Sequence, residues 1–224
     1  MSAETVAPPI LHHGDRLNRE EFEQRFDATP ELKKAELIEG VVYMSPPLSD
    51  DFHAAPHADL MGWLGWYRAH TPGVLAGDNG SVRLDGRNMP QPDASLRILH
   101  EYGGQSRNED GYVAGAPEWV GEVSASSARL DLGVKRRVYQ RFGVREYVVW
   151  RTEEQLLDWF ILRDGDYENL PPGEDGIYRS EVFPGLWLDA QALFDRDLRQ
   201  VLEVLQKGLA SPEHAAFVQR LQAR

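Results

Sequence analysis

Glu118-Trp119-Val120-Gly121-Glu122-Val123-Ser124 is the stretch whose reading decides the fold. It is a short β-prone run with Glu122 set among apolar neighbours, where an unpaired charge is costly to bury, so a metal or a basic partner is expected there. Upstream, Pro92-Asp93 leads into a second β-prone run, Ala94 to Leu99. Two neighbouring strands could present the two carboxylates side by side. Downstream lies Asp131-Leu132-Gly133-Val134-Lys135, on a helix expected from about Arg129 to Phe142 and stopped by Gly143. A helix that follows the Glu122 strand directly can fold back over its end and send Lys135 towards the acids.

Two carboxylates on adjacent strands suit a hard divalent cation, Mg²⁺ or Mn²⁺, which takes one or two carboxylates and completes its shell with water and phosphate oxygens. A lysine beside them can orient an attacking water or neutralise charge on phosphate. Asp93, Glu122 and Lys135 therefore read together as metal-assisted phosphodiester hydrolysis. Each residue also has a plainer reading. Asp93 can end a Pro-Asp turn, Glu122 can pair with an arginine, and Lys135 can be solvated on a basic helix.

Composition sets the bounds. The 224 residues, with 42% hydrophobic and 27% charged side chains, have a globular balance and the length of one domain. The absence of cysteine excludes disulfides and thiolate chemistry. No apolar run approaches the ~18 residues a membrane span needs, and the N-terminus has no basic region leading into an apolar one, so a cytoplasmic protein without a membrane partner is expected. A net charge of −12 disfavours non-specific nucleic-acid binding. The run from Arg129 to Arg145 is locally basic, however, and Arg129, Arg136 and Arg137 are the candidates for nucleic-acid contact.

Residues 1–17 read as a flexible N-terminal arm in which His12-His13 is a solvated pair. Asn18 caps a short helix, and Lys34 to Met44, with Glu39-Gly40 at its centre, suggests a hairpin or bulged strand that Ser45-Pro46-Pro47 ends. Phe52 to His70 is amphipathic and its helix begins near Pro56. Glu101 to Gly115 reads as a mobile loop beside the site. Tyr147 to Trp150 is a buried strand, Leu156 to Leu162 another with Tyr167 opening its antiparallel partner, and helices over Ala190 to Leu209 and Pro212 to Gln222 close the chain. The order predicts an α/β (α+β) fold, a mixed central sheet flanked by helices. Residues 18–195 form the main domain, and 196–224 are a helical extension packed on it.

Several separate stretches, taken in order, resemble one family. These are Ala35-Glu36-Leu37-Ile38-Glu39-Gly40, Met44-Ser45-Pro46-Pro47, His53, Gln91-Pro92-Asp93, Glu122-Val123-Ser124, Asp131 with Lys135 and Tyr139, Gly143 to Tyr147, and Phe183-Pro184-Gly185-Leu186. From about Asn18 to Phe194 the chain is similar to the Uma2 family, formerly DUF820, which is grouped with restriction endonucleases in the PD-(D/E)XK nuclease superfamily. The resemblance implies a restriction-endonuclease-like core and a divalent-metal site. Asp93 and Glu122 would be the metal ligands, Lys135 the catalytic lysine, and Glu36 and His53 accessory site residues. Ser124 stands where the common motif has lysine, so that lysine has to come from Lys135, and Ala35 replaces the family's aromatic.

Glu36 remains readable as a plain strand residue and His53 as a helix-entrance residue without chemistry. The leading expectation is an endonuclease acting on nucleic acid, with DNA as the substrate. A homodimer would suit duplex cleavage, and the apolar C-terminal helices offer it a face. The second expectation is a catalytically inactive nuclease fold that binds nucleic acid or a protein.

Overall fold

The structure, a computed structural model, describes residues 8–44 and 49–223. The expected stop at Ser45-Pro46-Pro47 and the first seven residues of the expected arm lie outside the described residues. Among the described residues a six-stranded sheet runs in the order Asp166–Asn169, Leu156–Arg163, Glu146–Arg151, Trp119–Ser124, Ala94–Ile98, Val74–Asp78. Only the pair Trp119–Ser124 and Glu146–Arg151 is parallel. That parallel pair needs a crossover, which the helical segment between them supplies. The mixed sheet flanked by helices is the architecture expected from the sequence.

The two faces of the sheet divide the core. Alternation along Trp119–Ser124 sends Trp119 and Val123 to one face, where they join Leu60, Trp63 and Leu64 of the helix Ala55–Ala69. Val201, Leu205, Phe217 and Leu221 of the two C-terminal helices, Leu198–Leu209 and Pro212–Gln222, join the same core. Val120 and Glu122 point to the opposite face, under the crossover, where Val120 packs with Tyr139 and Tyr147.

Several boundaries differ from the sequence reading. Leu11 is buried, Gly14 N–H donates to the Val42 carbonyl and Leu17 N–H to that of Gly40, so from residue 11 the expected arm lies against the hairpin. The hairpin forms from Ala35–Ile38 and Val41–Met44. Its turn residues Glu39 (φ 52°) and Gly40 (φ 76°) both have positive φ, the conformation that matches the twist of a two-residue turn. The expected mobile loop over Glu101 to Gly115 contains strands Arg107–Glu109 and Tyr112–Ala114, which form a three-stranded sheet with Val82–Arg83. Neither strand lines the cavity described below.

The helix expected from Ala190 to Leu209 is split into Ala190–Phe194 and Leu198–Leu209. Arg196 (φ 60°) turns the chain there, and Asp197 caps the second helix by accepting from Gln200 N–H. The crossover helix is interrupted as well. Ala128–Leu130 and Arg136–Phe142 flank a widened turn, Asp131–Lys135, in which Gly133 (φ −96°, ψ −105°) leaves helical geometry.

Candidate active site

The N-terminal hairpin supplies the first two groups. In extended backbone alternate side chains share a face, so Lys34, just before the strand Ala35–Ile38, and Glu36 within it can point the same way. Ala35 and Leu37 point the other way into a small core with Phe22 and Met89. Glu36 is buried, and its Oε1 accepts from the Gln91 N–H at 2.8 Å. That bond fixes the hairpin to the segment that carries Asp93.

Asp93 and Glu122 meet through strand register. Ala94 pairs with Gly121, so the next antiparallel position sets Asp93 opposite Glu122. Backbone amides hold the pair together: Val123 N–H donates to Asp93 Oδ2 at 2.8 Å, and Asp93 N–H donates to Glu122 Oε2 at 3.4 Å. Lys34 Nζ lies 2.5 Å from Asp93 Oδ1 and donates to Asn79 Oδ1 at 3.1 Å. His53 Nε2 lies 3.3 Å from Asp93 Oδ2.

The crossover supplies the rest. Asp131, Lys135 and Tyr139 are spaced by four and so fall on one helix stripe, which covers the Glu122 face of the sheet. Lys135 Nζ is 2.7 Å from Glu122 Oε1, 2.9 Å from Glu36 Oε1 and 3.6 Å from Asp131 Oδ1. Tyr139 donates its hydroxyl to Glu122 Oε1 at 3.1 Å, and Ser127 donates to Asp131 Oδ2 at 2.6 Å. The widened turn puts both Asp131 and Lys135 inside.

Electrostatics follow from this crowding. Burial pushes the Glu122 carboxyl upward, against the pull of Lys135 and helped by Asp131, Asp93 and Glu36. Burial raises Asp131 too. Burial also works to raise Asp93, but His53 and Lys34 hold it well below the usual carboxylate range. Burial alone would lower both lysines. The carboxylates outweigh it and keep both ammonium groups charged: Glu122, Glu36 and Asp131 around Lys135, and Asp93, Glu122 and Glu36 around Lys34.

The cluster opens onto a cavity of about 460 Å³, whose wall includes Lys34, Glu36, His53, Asp93, Glu122 and Asp131. The structure thus brings together Asp93, Glu122, Lys135, Glu36 and His53. It does not gather the three arginines. Arg136 stacks over the Phe160 ring at 4.2 Å, Arg137 is exposed on the crossover helix, and Arg129 is exposed on the short helix Ala128–Leu130 beside the cavity-lining Leu130. The locally basic run is therefore dispersed. Arg141 pairs with Glu39 and Arg145 donates to Gln105.

Sequence reasoning gave no role to Lys34, and none to Asp131 or Tyr139 beyond the resemblance. The signal for Lys34 was its spacing of two from Glu36 on a strand. The signal for the other two was their spacing of four around Lys135.

The donors fit a hard divalent cation. Four buried carboxylates (Glu36, Asp93, Glu122 and Asp131) surround two ammonium groups, so the ionised cluster carries two more negative charges than positive ones. His53 Nδ1 is buried with no hydrogen-bond partner among the described residues. Among those residues no group of three or more His, Cys, Asp or Glu is arranged to hold an ion unaided. A cation would therefore need water or substrate oxygens beside Asp93 and Glu122, as Mg²⁺ ordinarily does.

The family model Uma2, described as "Putative restriction endonuclease", matches residues 19–191. A crystal structure described as "a putative nuclease belonging to DUF820", from Anabaena variabilis, superposes with a TM-score of 0.56 at 18% identity, covering 75% of this chain and 96% of that one. That likeness is one of fold. No curated protein matches the chain. No helix among the described residues is long and apolar enough to cross a membrane.

Proposed function

The chain belongs to the Uma2 family, and from that premise we propose that it is a divalent-metal-dependent nuclease that hydrolyses phosphodiester bonds of DNA. The single observation that carries the reading is the meeting of Asp93 and Glu122, 29 residues apart in sequence and joined by the Asp93 N–H to Glu122 Oε2 contact, on the wall of a cavity. A bound Mg²⁺ or Mn²⁺ would supply the activated water and neutralise charge developing on the phosphate and the leaving oxygen. Asp93 and Glu122 would hold it.

The chain's own residues prepare that site. Val123 N–H and Tyr139 OH fix the orientation of one oxygen of each carboxylate. Lys135 ties Glu122 to Glu36 and Asp131, so three like charges share one face without repelling the helix from the sheet. His53 stands next to Asp93 at the cavity wall, where a ring nitrogen can accept or return a proton.

The test is cleavage of labelled single- and double-stranded DNA and RNA with Mn²⁺ or Mg²⁺. Cleavage should vanish with EDTA and with Asp93→Ala. Hydrolysis that survives EDTA but not the substitution would remove the metal from the account.

A second reading, a catalytically inactive binding protein, is favoured by Ser124. It occupies the position of the motif's lysine, and its hydroxyl is engaged with that of Ser127. On that reading the protein binds oligonucleotides in a salt-dependent way and cleaves none.

A further inference from the structure

The cluster contains two lysines in different situations. An ammonium has three N–H donors. Lys135 meets three carboxylates, its side chain is 2% exposed, and it does not line the cavity. Its ammonium faces Glu122 and Glu36 at hydrogen-bond distance, with Asp131 at 3.6 Å, so its charge is enclosed within the cluster and turned away from the cavity. Lys34 lines the cavity, its side chain is 18% exposed, and among the described residues its Nζ bonds two side chains, Asp93 and Asn79. One donor is left over, and the charge faces the space a substrate would fill.

We propose that Lys34, and not Lys135, is the cation that meets the substrate's phosphodiester, placing its unspent N–H on a non-bridging oxygen. The assignment rests on the nuclease reading for its catalytic meaning. The binding contact itself needs only an anionic phosphodiester in the cavity. Lys34 lines the cavity two residues before Glu36, which is anchored by Gln91 and Lys135, and its ammonium is fixed by Asp93 and Asn79. A compact ammonium at that place stabilises charge that grows on the phosphoryl oxygens. The lysine missing at residue 124 is thereby replaced from the opposite end of the site, by the N-terminal hairpin. Lys135 becomes the residue that positions Glu122.

The experiment has two readouts. One is metal-free binding of the dinucleotide thymidylyl-(3′→5′)-thymidine, which carries one phosphodiester, followed by ³¹P NMR titration. The other is Mn²⁺-dependent cleavage of a labelled oligonucleotide. Lys34→Met is expected to weaken dinucleotide binding about tenfold, the worth of one charge-assisted hydrogen bond, and to slow cleavage about a hundredfold. Lys34→Arg, which keeps the charge, should recover most of the binding. A purely structural Lys34 would lower the melting temperature of Lys34→Met and leave binding unchanged. If Lys34→Met does not fold, Lys34→Gln, which retains a donor towards Asp93 without the charge, takes its place under the same expectations.

Equal binding by the natural sequence and the uncharged variant overturns the proposal, as does absence of dinucleotide binding by the natural sequence. Binding through Lys34 without cleavage of any oligonucleotide refutes the nuclease reading and leaves the Lys34 contact standing.

Discussion

Replacing Lys135 by methionine removes one ammonium from among Glu122, Glu36 and Asp131, which lie 2.7, 2.9 and 3.6 Å from it with side chains no more than 6% exposed. Methionine fills much of the volume, so the loss is mainly electrostatic. Breaking a buried ion pair on one side costs about 3–5 kcal/mol. The variant can limit that cost by taking up a proton. Protonating one glutamate of unfolded pKa about 4.3 costs about 3.7 kcal/mol at pH 7 and about 1 kcal/mol at pH 5. The native variant then holds a proton that the unfolded chain releases above pH ~4.3, so its stability falls as pH rises. We expect a deficit of about 3–5 kcal/mol at pH 7 that shrinks to about 1–2 kcal/mol at pH 5, read by urea unfolding with tryptophan fluorescence at both pH values. In a chain of this size that corresponds to a melting temperature about 6–20 °C lower at pH 7. A deficit below about 1 kcal/mol at pH 7, or one equal at the two pH values, refutes the idea that this lysine neutralises the cluster.

Other outcomes follow from neighbouring contacts. Glu146 accepts from Ser180, Glu181 and Val182, and burial raises its carboxyl to about 7. Folding therefore retains a proton that the unfolded chain gives up above pH ~4.5, and this group alone removes about 3 kcal/mol of stability between pH 4.5 and 7. Glu146→Gln should lose that slope, so the stability difference between variant and natural protein should change by about 2–3 kcal/mol between pH 5 and pH 8. Tyr139→Phe deletes the hydroxyl donated to Glu122 and should cost about 1–3 kcal/mol in urea unfolding; an unchanged midpoint would show the bond idle. At Gly208 an added Cβ would lie 2.3 Å from the Gly185 carbonyl oxygen, so Gly208→Ala should destabilise by about 1–3 kcal/mol despite alanine's better helix propensity, and a stabilised variant would mean the two segments slide apart freely.

The sequence carried the sheet's centre because Trp119–Ser124 and Ala94–Ile98 are locally unambiguous and their register sets residue 93 against residue 122. It carried the hairpin because Glu39-Gly40 can adopt positive φ at both turn positions. It carried less of the irregular backbone. The kink at Gly133, the reversal at Arg196 and the pairing of Tyr112–Ala114 with Val82–Arg83 depend on partners distant in sequence, which periodicity does not encode. The same holds for charge. A run containing Arg129, Arg136, Arg137 and Arg141 reads as one basic face. Helical spacing instead sends Arg136 onto Phe160 and Arg141 onto Glu39, while Lys135 goes into the core. A lysine ahead of a short strand has no local signature of burial, so the sequence alone does not mark Lys34. Only the fold shows that Asp93, 59 residues on, meets it.

A cation held by residues 93 and 122 is the centre of the proposed mechanism, and a crystal soaked in Mn²⁺ and read by anomalous scattering tests it most directly. One strong peak is predicted about 2.0–2.2 Å from an oxygen of each carboxylate, the remaining positions being water. A fully soaked crystal with no peak at these carboxylates, or with manganese only at surface acids, would contradict the account.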